Sequence, residues 1–373
     1  MNSDATTNLR SSALRRIDLN IKPYIKSDDT IAAWQIISTI IPLIICCIAI
    51  GNITSQLTLV SVILTPALFL LIILFLSRSF SLMHDCGHHS LFRSKTANRI
   101  AAFALSIIHA MPHHPWSRGH AFHHKHNGNW NRYRGPSALT TLREYKAMNK
   151  GSKFIYQFLR HPILLLPGGF YYLVIKPRAA LLLGLIEFVV KAVADGFRKL
   201  SNGHNFSIRS FFNNHKSSFF YTKEEVYDTI ANTTCVALAW YFIGSTIGHW
   251  HFWILYTSAM SVSAAIMIAV FFIQHNFPGS YTSSDENWNY FKGAIEGSSF
   301  LIMPRVLNWF TADIAYHHVH HLSERIPNYR LRMCHEHNEK KFGSVRRLHL
   351  HEFRNCFSLI LWDDETLQLT SIE

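Results

Sequence analysis

Four long apolar runs constrain this chain more than any other feature. Residues 31–50 (IAAWQIISTIIPLIICCIAI), 57–77 (LTLVSVILTPALFLLIILFLS), 229–248 (TIANTTCVALAWYFIGSTIG) and 252–274 (FWILYTSAMSVSAAIMIAVFFIQ) contain no Lys or Arg. A helix needs roughly 20 apolar residues to cross a hydrocarbon core of ~30 Å, and its backbone must be satisfied internally there. Each run is therefore expected to be a transmembrane helix. Short connections, GNITSQ at 51–56 and the HWH region at 249–251, pair them into two helical hairpins. No Lys or Arg occurs between Lys26 and Arg78, or between Lys223 and Lys292. Basic residues mark the cytosolic side of a multi-pass protein. Five regions follow: a cytosolic N-terminal segment 1–30, hairpin 31–77, a cytosolic or interfacial region 78–228, hairpin 229–274, and a cytosolic C-terminal region 275–373. The expected fold is an all-α integral membrane protein with four transmembrane helices and a cytosolic helical cap.

Two further stretches are apolar but broken. Residues 99–116 are short and carry Pro112 and Pro115; residues 154–190 are interrupted by Arg160, Pro162, Pro167, Gly168, Gly169, Lys176, Pro177 and Arg178. Both are expected to be interfacial or re-entrant helices rather than spans. The net charge of +13 would make nucleic acid a candidate partner for a soluble domain. Here the basic residues fall into blocks between membrane segments, so no nucleic-acid partner is expected. Six cysteines (Cys46, Cys47, Cys86, Cys235, Cys334, Cys356) form no CxxC pair and read as reduced, inert thiols. The charged first thirty residues contain no apolar core of a cleavable signal, so the first span is expected to direct insertion.

Histidine, at 24 residues, outnumbers Asp and Glu together at 23, so imidazole is unusually abundant. Three clusters stand out: HDCGHH (His84, His88, His89), HAFHH (His120, His123, His124) and HHVHH (His317, His318, His320, His321). In HxxHH, a rotation of about 100° per residue puts the three rings within one helical face. His84 and His88 share a face at i and i+4, while His89 is turned away and could reach a second metal. Eight or nine converging nitrogens are too many for one ion and suit two. An even number of crossings separates the clusters, so all three can meet on one side, provided that 99–116 and 154–190 do not span. Isolated histidines (His109, His161, His204, His215, His249, His251) read as hydrogen-bonded packing residues.

Imidazole donors suit iron, copper, zinc or nickel, whereas calcium and magnesium prefer oxygen. A zinc hydrolase needs about three ligands and a nearby general base. Neither HExxH nor a repeated ExxH accompanies these clusters. A nitrogen-rich dinuclear iron site activating dioxygen fits the donor set best.

These residues resemble the membrane fatty-acid desaturase family, whose histidine boxes read HxxxHH, HxxHH and HxxHH. Here they are His84, His88 and His89; His120, His123 and His124; and His317, His320 and His321. The likeness runs from about residue 78 to 335 and includes TLREY, QHNFPGSY and WFTADIAYHHVHHLSERIPNYRL, strings similar to the acyl-lipid omega-6 (Δ12-type) branch. The resemblance implies two iron ions held by the boxes, with His275 of QHNF as an additional ligand. It also implies a cis double bond introduced into a long acyl chain, with O2 as co-substrate and two electrons from an external donor. His318 falls between box positions and reads as a packing or supporting residue; His113, His114 and His126 match no ligand position. Carboxylates commonly accept the free N–H of a ligating imidazole. Asp85, beside His84, and Asp313, one helical turn before His317, are candidates for that role or for capping and surface positions.

No fused haem-binding donor domain is recognisable, so a separate ferredoxin or cytochrome is expected to deliver electrons. The basic segment KKFGSVRR (340–347) could dock such a partner or attract anionic lipid. The acyl-lipid substrate is expected in the membrane, but its binding residues are not assignable from sequence. Trp116, Trp288 and Trp309 are candidates for the lining or for interfacial anchors. A hydroxylase or ketolase on the same scaffold is a rival reading. A metal transporter is another, although transporters place ionisable ligands within their spans, and these clusters lie beyond span ends.

Overall fold

The computed structural model describes residues 18–53, 58–135 and 137–372. Four of its helices are long and apolar enough to cross a membrane: α1 (Asp29–Ile53), α2 (Leu59–Gly87), α10 (Lys223–Ile247) and α11 (His249–Ile273). They match the four runs read from sequence, and the mostly helical chain has the expected integral-membrane architecture. Their outer faces bear Ile41, Ile45, Ile48, Val60, Ile63, Tyr241 and Ile254, all exposed. Such area is costly in water and at home in hydrocarbon. The first turn lies largely in 54–57, outside the described residues, as do residues 1–17 of the N-terminal segment.

α2 starts at a capping box in which Thr58 and Ser61 exchange side-chain-to-backbone hydrogen bonds. At 29 residues it is about 44 Å long, well beyond a ~30 Å core. Its last turns continue out of the span, and Ser77 through Cys86 are buried there. This overshoot carries His84 away from lipid. Arg78, 2% exposed, ties the junction together. Its Nε donates to Thr39 Oγ1 of α1 at 3.1 Å, its Nη1 donates to the Trp309 carbonyl, and its guanidinium lies 3.9 Å over the Trp309 ring.

Among the described residues neither broken stretch supplies a helix long and apolar enough to cross a membrane. α3 (Lys95–Ile108) packs beside α2 and stops before Pro112, where α4 (His113–His126) begins. Beyond it come α5 (Leu142–Ala147), α6 (Lys150–Leu159) and α7 (Leu165–Phe170), then one π-helical stretch at Tyr171–Ile175 and the long α8 (Lys176–Ser201), with α9 (Ile208–Asn214) before α10. α7 lies against α11 because Gly169 has no side chain; a Cβ there would sit 2.7 Å from Ala264 Cβ. Exposed Leu182, Ile186, Val190 and Phe197 on α8 fit an interfacial helix.

The remaining helices, α12 (Tyr290–Ile295), α13 (Arg305–Phe310), α14 (His317–Leu322), α15 (Asn328–Asn338) and α16 (Phe353–Ser358), build the cap with the ends of α2 and α11. Short strands add to the all-α expectation. β1 (Thr140–Thr141) pairs parallel with β4 (Leu361–Asp363), which pairs antiparallel with β5 (Gln368–Thr370); β2 (Phe300–Ile302) pairs parallel with β3 (Arg347–His349). These pairings pin the C-terminal tail to segments flanking α4 and α14. Asn127 fastens α4 to α12 by donating Nδ2 to the carbonyls of Gly293 at 2.7 Å and Gly297 at 3.0 Å.

Candidate metal centre

The three boxes converge at the cap end of α2 and α11. Nine imidazoles form two groups, His84, His88, His120, His124 and His320 in one and His123, His275, His317 and His321 in the other, each with ligand atoms within 4.8 Å of one another. Helical spacing explains the partition. α4 gives its i, i+4 pair His120 and His124 to the first group and His123 to the second. α14 does the reverse, giving His317 and His321 to the second group and His320 to the first. Each HxxHH helix therefore serves both groups.

In the first group Nε2 atoms of His84 and His120, His120 and His124, and His124 and His320 are 2.8, 3.0 and 3.0 Å apart. In the second, His275 Nε2 lies 3.1 Å from that of His123 and 2.8 Å from that of His317, with His317 and His321 at 3.1 Å. Nitrogens bound at about 2.1 Å and roughly 90° to one another around an ion would be ~3.0 Å apart, so the spacing is that of a coordination shell. Among the described residues the buried Nδ1 atoms of His123, His124, His317, His320 and His321, on the ring edge away from the converging Nε2, have no hydrogen-bond partner. His88 Nε2 is likewise buried and unpartnered. Polar atoms at such depth normally find partners; the unpartnered Nε2 of His88, a member of the first group, and Nε2 atoms that meet only one another fit a cation.

Electrostatics favours the neutral ring at seven of these positions. Burial pushes His120, His123, His124, His317, His320 and His321 well below the usual imidazole range, and neighbouring imidazoles push them further. His275 is lowered to about 4 by burial, against an opposing hydrogen bond to Gly297. Neutral imidazole is the form that ligates metal.

Three rings are oriented from behind. His84 Nδ1 donates to Asp85 Oδ1 at 3.2 Å, and Asp85 Oδ2 in turn accepts from Asn328 N at 2.7 Å and Nδ2 at 2.9 Å. His275 Nδ1 donates to the Gly297 carbonyl at 3.0 Å. His88 Nδ1 faces Glu324 Oε2 at 3.2 Å, and that contact holds the Glu324 carboxyl below its ordinary range. Each such bond points Nε2 inward. Phe271 of α11 lies against rings of both groups, 5.7 Å from His84 and 5.7 Å from His317. Trp116 stacks on His120 at 4.9 Å and 12°.

A model of the fatty acid desaturase family matches residues 61–353, which include every box. A fatty acid desaturase of Bacillus subtilis (strain 168) is 32% identical over 314 residues, covering 84% of this chain and 78% of the relative. The chain belongs to the fatty acid desaturase family. As a desaturase it is an oxidoreductase. More distant similarity extends to an sn-1 oleoyl-lipid 12-desaturase of Anabaena variabilis, 22% identical over 78% of this chain and 72% of the relative. It extends also to an sn-1 acyl-lipid omega-3 desaturase (ferredoxin) of Nostoc sp. (strain 36), 24% identical over 66% and 60%.

Two expected site residues of this desaturase stand apart from the groups. His89 is exposed and belongs to neither, because it follows the end of α2 with a left-handed φ of 57° that swings its ring outward. Asp313 makes no hydrogen bond to a box histidine among the described residues. Ala312 and Asp313, with φ of 49° and 54°, break the helix that would have placed it one turn below His317. Burial instead pushes its carboxyl up to about 6, with Arg78 nearby opposing the shift. His318 lies outside both groups and pairs with His335, Nε2 to Nδ1 at 2.9 Å. His113 faces Asp228 at 3.2 Å, and His126 packs on Phe122 at 4.4 Å. Trp288 donates to the Asn127 carbonyl, and Trp309 is held by Arg78. Sequence reasoning missed Glu324, the Gly297 carbonyl and Phe271. The acidic residue three positions after His321 was the one available signal for Glu324.

Proposed function

We propose that this chain is a di-iron acyl-lipid desaturase of omega-6 (Δ12-like) type, introducing a cis double bond into a long acyl chain with O2 and two electrons from a separate donor. The observation that carries this reading is the division of nine imidazoles, seven of them buried, into two adjacent groups with ~3 Å nitrogen spacing. His84, His88, His120, His124 and His320 would hold one iron, and His123, His275, His317 and His321 the other. His89 is not among the ligands proposed. Bound there, iron supplies the dioxygen chemistry that removes two hydrogens from adjacent carbons. The chain's own residues orient and exclude. Asp85, Glu324 and the Gly297 carbonyl fix ring tautomers, and Phe271 forms an apolar floor beneath both shells. A mostly apolar cavity of about 30 Å³ beside Phe271, lined also by Phe80, His109, Leu173, Ala264 and Met267, has room for about one methylene and would have to widen to admit an acyl chain.

The name of the Anabaena relative supports the 12-position and a lipid-linked acyl group, and that of the Nostoc relative supports a ferredoxin-type donor. The absence of Lys and Arg between Lys26 and Arg78 and between Lys223 and Lys292 supports boxes on the cytosolic face. The test is expression in a host whose lipids are only saturated and monounsaturated, with fatty-acid analysis and double-bond location. A diene that disappears in His84→Ala, His120→Ala and His320→Ala is expected. A hydroxy fatty acid in its place would substitute an oxygenase for the desaturase. A fully active preparation with fewer than about two irons per chain would end the dinuclear reading.

A further inference from the structure

The second histidine group is approached from two chemically opposite sides. On one side stand Phe271 and the small, mostly apolar cavity beside it. On the other side, a crevice under the loop after α4 reaches His275. Tyr133 and Gly135 wall it from the loop, Asn276 and Ser280 from the segment after α11, and Leu369 of β5 stands at its side. Its volume of about 30 Å³ exceeds the roughly 10–15 Å³ that a single water needs.

The wall offers hydrogen-bonding capacity that the fold leaves unused. The Tyr133 ring packs 4.9 Å from His123, and its hydroxyl makes no hydrogen bond among the described residues. Asn276 donates Nδ2 to the Leu359 carbonyl at 3.1 Å, while its Oδ1 accepts from no described residue. Ser280 donates to the His275 carbonyl at 2.8 Å and keeps its oxygen lone pairs. A polar, water-sized crevice ending on a buried ligand group favours ordered water.

The proposed reaction needs such a path. With its electrons supplied by the external donor, it balances as R–CH2–CH2–R′ + O2 + 2 e− + 2 H+ → R–CH=CH–R′ + 2 H2O. Two protons must arrive and two waters must leave in each turnover, and a cavity filled by acyl chain carries neither. We propose that the crevice bounded by Tyr133, Asn276 and Ser280 is the passage by which protons reach the second histidine group and product water leaves it. This assignment rests on the desaturase reading given above.

Two substitutions act on the passage in opposite directions. Gly135 has φ of 76°, a conformation that Asn tolerates best among non-glycine residues, and a Cβ there would meet nothing closer than Asn276 Oδ1 at 4.0 Å. Gly135→Asn therefore adds a side chain beside Asn276 at the crevice, at the cost of the backbone strain that a positive φ imposes on an L residue. Leu369→Ala widens it. The probe is azide, a small polar anion, mixed with the oxidised iron-loaded protein in nanodiscs and followed by absorbance. Gly135→Asn should slow azide association by about fivefold or more, and Leu369→Ala should leave it unchanged or faster. Under turnover, Gly135→Asn should lower kcat and raise the solvent deuterium isotope effect, with KM for the acyl substrate, iron content and double-bond position unchanged. Azide association at the wild-type rate in Gly135→Asn would overturn the proposal. So would a raised acyl KM or a moved double bond, since either would put the acyl chain in the crevice. A wild-type protein that binds iron and azide yet forms no double bond would refute the desaturase reading, while the azide rates would still report on the passage.

Discussion

The two histidine groups share α4 and α14 yet differ in redundancy and in exposure. The first has five imidazoles, two of them, His88 and His120, only partly buried; the second has four, all buried. The first is supported by carboxylates, Asp85 and the half-exposed Glu324, whereas the second leans on a backbone carbonyl of Gly297. A five-donor shell at the edge can lose one arm and remain a site. A four-donor shell in the interior has no spare, and any defect there leaves desolvated nitrogens without compensation.

The largest effect should therefore come from the second group. His317→Ala leaves three donors there and should cost more than about 100-fold in desaturation, with iron falling from about two to about one per chain. His88→Gln leaves four donors in the first group. It should retain about two irons and lose about 10-fold in activity, and an equal loss of iron in both variants would break the asymmetry. Glu324→Gln keeps every imidazole and removes only the charge behind His88. A few-fold loss of activity and weaker iron retention against a chelator, up to about 10-fold, are expected.

Acidification should discriminate in the metal-free protein. The buried imidazoles have folded-state pKa values below the ordinary value, so an unfolded chain takes up protons that the folded chain refuses. Stability is full above about pH 6.5 and is lost as pH falls from there toward about 4, the value for His275. The thermal midpoint of the iron-free protein should drop between pH 7.5 and pH 5.5, and iron loading should reduce the drop. The smallest effect belongs to His89→Ala, which should keep near wild-type iron and activity because that ring faces outward. Loss of an iron in this variant would return His89 to the ligand set.

The four spans and the sites of convergence were legible because both depend on regular periodicity. A run of twenty apolar residues has few alternatives, and HxxHH fixes relative ring directions as long as the helix continues. Legibility failed where helices end. His89 reads as a ligand from the box pattern and Asp313 from one further turn of helix, and both adopt a left-handed φ that redirects the side chain. Glu324 and Gly297 lie in connecting segments, where no periodicity links them to His88 and His275. Asp85 was recognisable because it sits beside His84 within the helix itself.

The crossed allegiance of α4 and α14 has a consequence for assembly. Each is a short rigid crossbar with rings in both shells, so an ion entering one shell orders part of the other. Occupancy of the two shells is then thermodynamically linked, and uptake should proceed cooperatively, with half-loaded protein scarce at equilibrium.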